Sequence, residues 1–291
     1  MNLPIRSRRV TLALLVLGLA ACHARPSPVA GPPTAAASSL PATVPSLTLS
    51  PSPTPSPSAT PLPTSFPLPA SDTPLVGCEQ RKPAADDLLP VVTSRFGLSP
   101  DYVPPDLVKL GNSLSYKVVN PGFLFRAAAV APLVELVKAM QADGLHPLIY
   151  SSYRGYYDQV VVRQIWDKSD PNYGYLISAT PGHSEHQLGT VVDFGSPDLP
   201  GLVGDPAIQF DPLFAQTGEG LWLADHASDY GFTMTNPPGA YDWTGLIYEP
   251  WHYRYVGVDL ATYLHASGNF LTRFLMQARP ELPCIPSLIS P

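Results

Sequence analysis

The residues best suited to chemistry in this 291-residue chain are His186, Asp193 and His252, with Glu249 just before the last of them. Two imidazoles and one carboxylate form a ligand set for a zinc ion that keeps one coordination position open. A further glutamate beside such a site can act as general base. His186 and Asp193 alone are weak evidence. Glu249 and His252, at i and i+3 across a rigid Pro250-Trp251, strengthen it. If the four side chains converge, the protein hydrolyses something; if they do not, they are ordinary polar residues of an exported domain.

Other residues could assist that chemistry. Arg154, in Ser151-Ser152-Tyr153-Arg154, can present its planar fork to a carbonyl oxygen, an oxyanion or a terminal carboxylate. Ser184 can donate to a substrate carboxylate or simply cap a turn. Gln159 follows on the same segment as Arg154 and by itself says nothing. His183 adjoins the site and could either support it or serve structure alone, whereas His146, His226 and His265 read as structural.

The elements that must position these residues are legible as periodicities. Ala127 to Ala142 is expected to be a helix, with Val130, Leu133, Val134, Val137 and Met140 inward and Gly144 ending it in a left-handed cap. Leu148 to Ser151 follows as a strand. Gly155 to Lys168 reads as a second helix, with Val161, Val162, Ile165 and Trp166 inward. Val191 to Phe194 is a strand, entered through a bend at Gly189 that can bring His186 and Asp193 to one point. Glu219 to Tyr230 is helical and closed by Gly231, then Phe232 to Thr235 and His252 to Val256 are strands. Asp259 to Ala266 and Leu271 to Ala278 are the last helices, and Trp222, Tyr230 and Phe232 are expected in the core. Strands and helices mix without a regular alternation, which suggests an α+β fold with a small, largely antiparallel sheet flanked by helices.

Four stretches together resemble a known family. They are Ser151-Ser152-Tyr153-Arg154 with Gln159; Pro181-Gly182-His183-Ser184-Glu185-His186-Gln187-Leu188-Gly189 with Asp193; Tyr230-Gly231-Phe232; and Thr244-Gly245 with Tyr248-Glu249-Pro250-Trp251-His252-Tyr253-Arg254-Tyr255-Val256-Gly257. They are similar to the VanY-type D-alanyl-D-alanine carboxypeptidases, zinc metallopeptidases that share a fold with the hedgehog signalling domain. The similarity runs from about Arg126 to Leu264. It implies Zn2+ held by His186, Asp193 and His252, with Glu249 as base. It implies that Arg154 polarises the scissile carbonyl, and that Ser184 and Gln159 orient the peptide terminus. Thr235-Asn236-Pro237-Pro238 departs from the Arg- or Ser-Tyr-Pro of relatives, in a loop expected to border the site.

The chain's ends speak of export. Arg6, Arg8 and Arg9 precede an apolar run from Val10 to Ala20, too short to span a bilayer comfortably. Leu19-Ala20-Ala21-Cys22 resembles a bacterial lipobox, so residues 1–21 read as a lipoprotein signal peptide and Cys22 as the lipidated residue. From Pro26 to Ser71 there is no Asp, Glu, Lys or Arg. This Pro/Ser/Thr-rich stretch cannot bury a core, and residues 22–75 read as a disordered tether with a reach on the order of 100–150 Å. Cys78 and Cys284 bracket the remaining 76–291 domain and are expected to pair, a bridge worth at most roughly 5 kcal/mol. The formal charge is −6, and the three signal-region arginines contribute +3 of it, so the rest of the chain stands at −9. That balance argues against nucleic acid as a partner.

The expected protein is therefore a monomeric, extracytoplasmic, lipid-anchored zinc carboxypeptidase that hydrolyses the C-terminal D-alanine of peptidoglycan stem peptides. Two alternatives keep the chemistry and change the bond: an L,D-carboxypeptidase on tetrapeptides, or a D,D-dipeptidase. A third, of another class, is a non-catalytic wall-binding lipoprotein.

Overall fold

The computed structural model describes residues 83–278. The expected signal peptide, the lipidated Cys22, the 22–75 tether and the Cys78–Cys284 pair lie outside the described residues. Within them the chain forms β1 (Leu107–Lys109), β2 (Leu124–Arg126), α1 (Ala127–Ala142), β3 (Leu148–Ser151), α2 (Tyr156–Ser169), α3 (Gly174–Ile177), β4 (Val191–Gly195) and α4 (Leu199–Val203). It continues through α5 (Gly218–His226), β5 (Phe232–Met234), α6 (Tyr241–Thr244), β6 (His252–Tyr255), α7 (Val258–Ser267) and α8 (Leu271–Ala278). The fold is α+β. The central sheet has the order β3-β4-β6-β5, every pairing antiparallel, and β1 pairs with β2 in a separate two-stranded ribbon.

Helix α1 forms because its apolar side chains recur every three to four residues. Ala129, Leu133, Leu136, Val137 and Met140 are buried, and Gly144, at φ 81°, ends the segment in the left-handed conformation. This face packs with Phe125 of β2, and with Val192, Phe194 and Tyr253 of the sheet, into the main core. Each such fully buried side chain contributes roughly 1.5–3 kcal/mol. Phe232 is buried there too, while Trp222 and Tyr230 are half-buried against it.

Alternation along the strands separates two faces of the sheet. Val192 and Phe194 on β4, and Tyr253 on β6, point into the apolar core. Asp193 on β4, with His252 and Arg254 on β6, occupies the opposite face, and all three are buried. The helices that flank the sheet thus leave one polar face for a site.

Helix α2 departs from expectation. Val161 and Ile165 are 56% and 40% exposed, and only Val162 and Trp166 of the four expected inward residues are half-buried. Three consecutive valines, Val160 to Val162, spread over most of the helix circumference and so select no face. The face is chosen instead by Gln159, the one residue of α2 that is buried.

Before β1 an N-terminal strap packs across the domain. Val91 and Phe96 join Val256, Ala261, Leu264, Leu271 and Leu275 in a second apolar cluster. Val92, Leu98 and Tyr102 close over Leu188 in a third.

Candidate active site

Strand pairing assembles the site. Asp193 on β4 lies directly opposite His252 on β6, and on its other side opposite Ser151 on β3. His186 arrives from a 3-10 turn, Glu185–Leu188, which ends at Gly189 with φ 70°. A Cβ at Gly189 would sit 2.8 Å from Leu107 Cδ2, so only glycine makes that bend without strain. The bend returns the chain into β4, and His186 and Asp193 meet.

Asp193 Oδ2 is 3.0 Å from His186 Nε2, and Asp193 Oδ1 is 3.1 Å from His252 Nδ1. One ligand atom from each of His186, Asp193 and His252 lies within 4.8 Å of the others. Ligands of a tetrahedral zinc ion, bound at about 2.0–2.1 Å, stand about 3.3 Å apart; the two Asp193–histidine separations are close to that, and the donor set of two imidazoles and a carboxylate fits the metal. His186 Nδ1 lies 2.6 Å from the Ser152 carbonyl, which can only accept. The proton is therefore on Nδ1, and Nε2 offers its lone pair to the site.

The electrostatics match that role. Burial, aided by the Arg154 charge, lowers the His186 pKa to about 4, so the ring is neutral at pH 7. Asp193 is held well below the usual carboxylate range; burial opposes this, but the charges and hydrogen bonds of His186 and His252 outweigh it. Burial would also lower the His252 pKa. Its hydrogen bonds to Asp193 and Glu185, and the Asp193 and Glu249 charges, instead push it up to about 10.

Glu249 is 4% exposed, and its Oε2 stands 3.8 Å from His252 Nδ1. Burial pushes its pKa up to about 8, in the range suited to a general base near neutral pH. A dication in the adjacent ligand set would draw that value down. Asn236 Nδ2 donates to Glu249 Oε2 at 2.6 Å and fixes the carboxylate.

Arg154 lines the same cleft. Its Nε donates to Gln159 Oε1 at 2.9 Å and its Nη1 to Ser151 Oγ at 2.9 Å. Gln159 in turn donates to Ser178 Oγ and to the Ala179 carbonyl. Gln159 is 1% exposed and does not line the cleft, so it holds Arg154 in place while its own polar atoms are committed within the protein. Ser184, buried, lines the cleft beside His186. His183 also lines it, with Nδ1 2.9 Å from the Thr93 carbonyl of the strap. His146, His226 and His265 are exposed and take no part in the cleft. The arrangement combines a metal-ligand triad, a buried base and a fixed guanidinium around one cleft of mixed polar and apolar lining, which suits hydrolysis of an amide.

Sequence reasoning gave no role to Glu185 or Arg254, and placed Asn236 only in a loop expected to border the site. Glu185 reaches His252, Arg254 reaches Glu185, and Asn236 reaches Glu249. The departure at Asn236 marks its loop, which does line the cleft, and Arg254 offers a second signal: at i+2 from His252 on a strand, it must share that residue's face.

Comparison with known proteins agrees with this geometry. Residues 123–258 match the family model described as VanY, D-alanyl-D-alanine carboxypeptidase. YodJ of Bacillus subtilis strain 168 is 30% identical over 196 residues, covering 67% of this chain and 69% of its own. Among solved structures, the LD-carboxypeptidase LdcB superposes with a TM-score of 0.58 at 26% identity, covering 68% of this chain and 90% of the other. A variant of the vancomycin-resistance D,D-pentapeptidase VanY from a VanB-type cassette, in complex with Zn(II), superposes with a TM-score of 0.50 at 28% identity, over 65% and 98% of the two chains. This chain belongs to the VanY family.

Proposed function

We propose that this VanY-family chain is a zinc-dependent D,D-carboxypeptidase that removes the C-terminal D-alanine from peptidoglycan stem peptides. The observation that carries the reading is the ligand set of His186, Asp193 and His252 beside a buried Glu249. A zinc ion held there supplies Lewis acidity, lowering the pKa of water to about 7 and polarising a carbonyl. Glu249 takes the proton of the attacking water and returns it to the nitrogen of the departing D-alanine. Arg154, fixed by Gln159 and Ser151, stabilises the charge that develops on the carbonyl oxygen. Ser184 donates to the peptide's terminal carboxylate. Phe210 and Trp251, among the apolar residues of the lining, help keep bulk water from the reacting bond.

In this reading the protein acts outside the cell, anchored through lipid on Cys22, with residues 22–75 as a tether and a Cys78–Cys284 bridge closing the domain. A wall-bound substrate does not diffuse, so the enzyme needs reach, which a proline-rich tether supplies.

Glu249→Ala is expected to abolish D-alanine release while zinc stays bound; a variant that still releases D-alanine would overturn the assignment of the base. A second reading, L,D-carboxypeptidase activity on tetrapeptides, is favoured by the likeness to LdcB. Mass spectrometry of products from pentapeptide and tetrapeptide stems, side by side, separates the two and also reveals any released dipeptide. Zinc-loaded protein that turns over none of them points to a binding module.

A further inference from the structure

The ring of His252 has carboxylates on both sides. Nδ1 faces Asp193 Oδ1 and Nε2 faces Glu185 Oε2, each at 3.1 Å. A neutral imidazole carries one N–H, and the hydrogen bond at one nitrogen decides which lone pair the other offers. We propose that Glu185, braced by Arg254, is the positioning residue for His252: it holds the proton on Nε2 and turns the Nδ1 lone pair toward the metal. This rests on the metal-site reading above.

Glu185 is held so that it can do this. Its Oε2 also accepts from Thr235 Oγ1 at 2.7 Å, and its Oε1 accepts from Arg254 Nη1 at 2.7 Å. With Oε1 given to a guanidinium and Oε2 to two donors, the carboxylate is no metal ligand; it is a fixed acceptor aimed at the imidazole. Arg254 is 1% exposed, and its Nη2 donates to the carbonyls of Leu88 and Pro90, both at 3.0 Å. A charge this deep demands an opposite charge, and Glu185 supplies it. The support of His252 therefore reaches into the N-terminal strap, ahead of the residues 123–258 that define the family match. His186 is oriented differently, by a backbone carbonyl. His252 alone depends on a side chain, and so on a residue that mutation can remove.

The test is zinc affinity of the full chain, stripped of metal and titrated with zinc against a chromophoric chelator. Glu185→Gln is expected to weaken binding ~10–100-fold. Zinc should then raise Tm less in the variant than in wild type, whereas a merely structural role would lower Tm of both forms alike and leave the zinc-induced rise intact. Glu185→Asp keeps the charge on Arg254 but, one methylene shorter, retreats from His252; it should fold like wild type and still bind zinc more weakly. Arg254→Lys, which retains charge but loses the fork, should weaken binding less than Glu185→Gln. Zinc affinity within twofold of wild type in both Glu185 variants overturns the proposal. The readout needs no turnover: zinc-binding protein that cleaves no stem peptide overturns the carboxypeptidase reading alone, whereas wild-type protein that takes up no zinc overturns both.

Discussion

Zinc binding to this site should expel a proton from His252, and the structure sets the size of the effect. Without metal the ring sits among Asp193, Glu185 and Glu249, at 3.1, 3.1 and 3.8 Å. Burial opposes its charge, yet the hydrogen bonds to Asp193 and Glu185 prevail and push its pKa up to about 10. His186, by contrast, is lowered to about 4 and is already neutral. A ligating imidazole must be neutral, so at pH 6 the metal displaces the His252 proton and none from His186. Because the proton must leave before the ring can ligate, binding weakens about tenfold for each pH unit below the His252 pKa. Glu249, at about 8, is also protonated at pH 6, and an adjacent dication favours its ionised form. The expected release is thus one to two protons per zinc. The sign is that affinity rises with pH through the range 6 to 8. Calorimetry at pH 6 in buffers of different ionisation enthalpy counts the protons; this pH lies below the range, about 7, in which solvent at a zinc site gives up its own. No proton released, with a Kd unchanged between pH 6 and 7, would refute the reasoning and mean that His252 is neutral in the free site.

Two further outcomes follow from particular contacts. Gln159→Leu removes the acceptor of Arg154 Nε and should lower kcat by up to about a hundredfold with zinc content unchanged, because a misplaced guanidinium no longer meets the developing oxyanion; kcat within twofold of wild type, in protein with full zinc by metal analysis, would count against it. Gly189→Ala forces a side chain into φ 70° and against Leu107, so urea unfolding should show a loss of at least ~1–2 kcal/mol, and an unchanged midpoint would contradict the strain argument.

Helix α1 was legible in extent and largely in face: Leu133, Val137 and Met140 are buried as expected, whereas Val130 and Val134 are only partly buried and Ala129 and Leu136 complete the buried face. Helix α2 was legible in extent but not in orientation. Its valines crowd adjacent positions, and the deciding residue, Gln159, is polar and looks exposed by type. It is buried because Arg154, Ser178 and Ala179 satisfy its amide, and those contacts span up to 20 positions of sequence. Glu185 escaped notice for a similar reason: Arg254 and Thr235, which fix it, are 69 and 50 residues away.

The sequence by itself determined the chemical types: two imidazoles, an aspartate, a glutamate and an arginine, with a glycine where the chain must bend. It also determined the strand periods that put Asp193 and His252 on polar faces. Only the tertiary structure decided the rest. Antiparallel register set Asp193 opposite His252, and burial then drove the pKa of His186 to about 4 and of Glu249 to about 8. Register is a relation between strands far apart in the chain, and desolvation is a property of everything packed around a group. Neither is written at any single position.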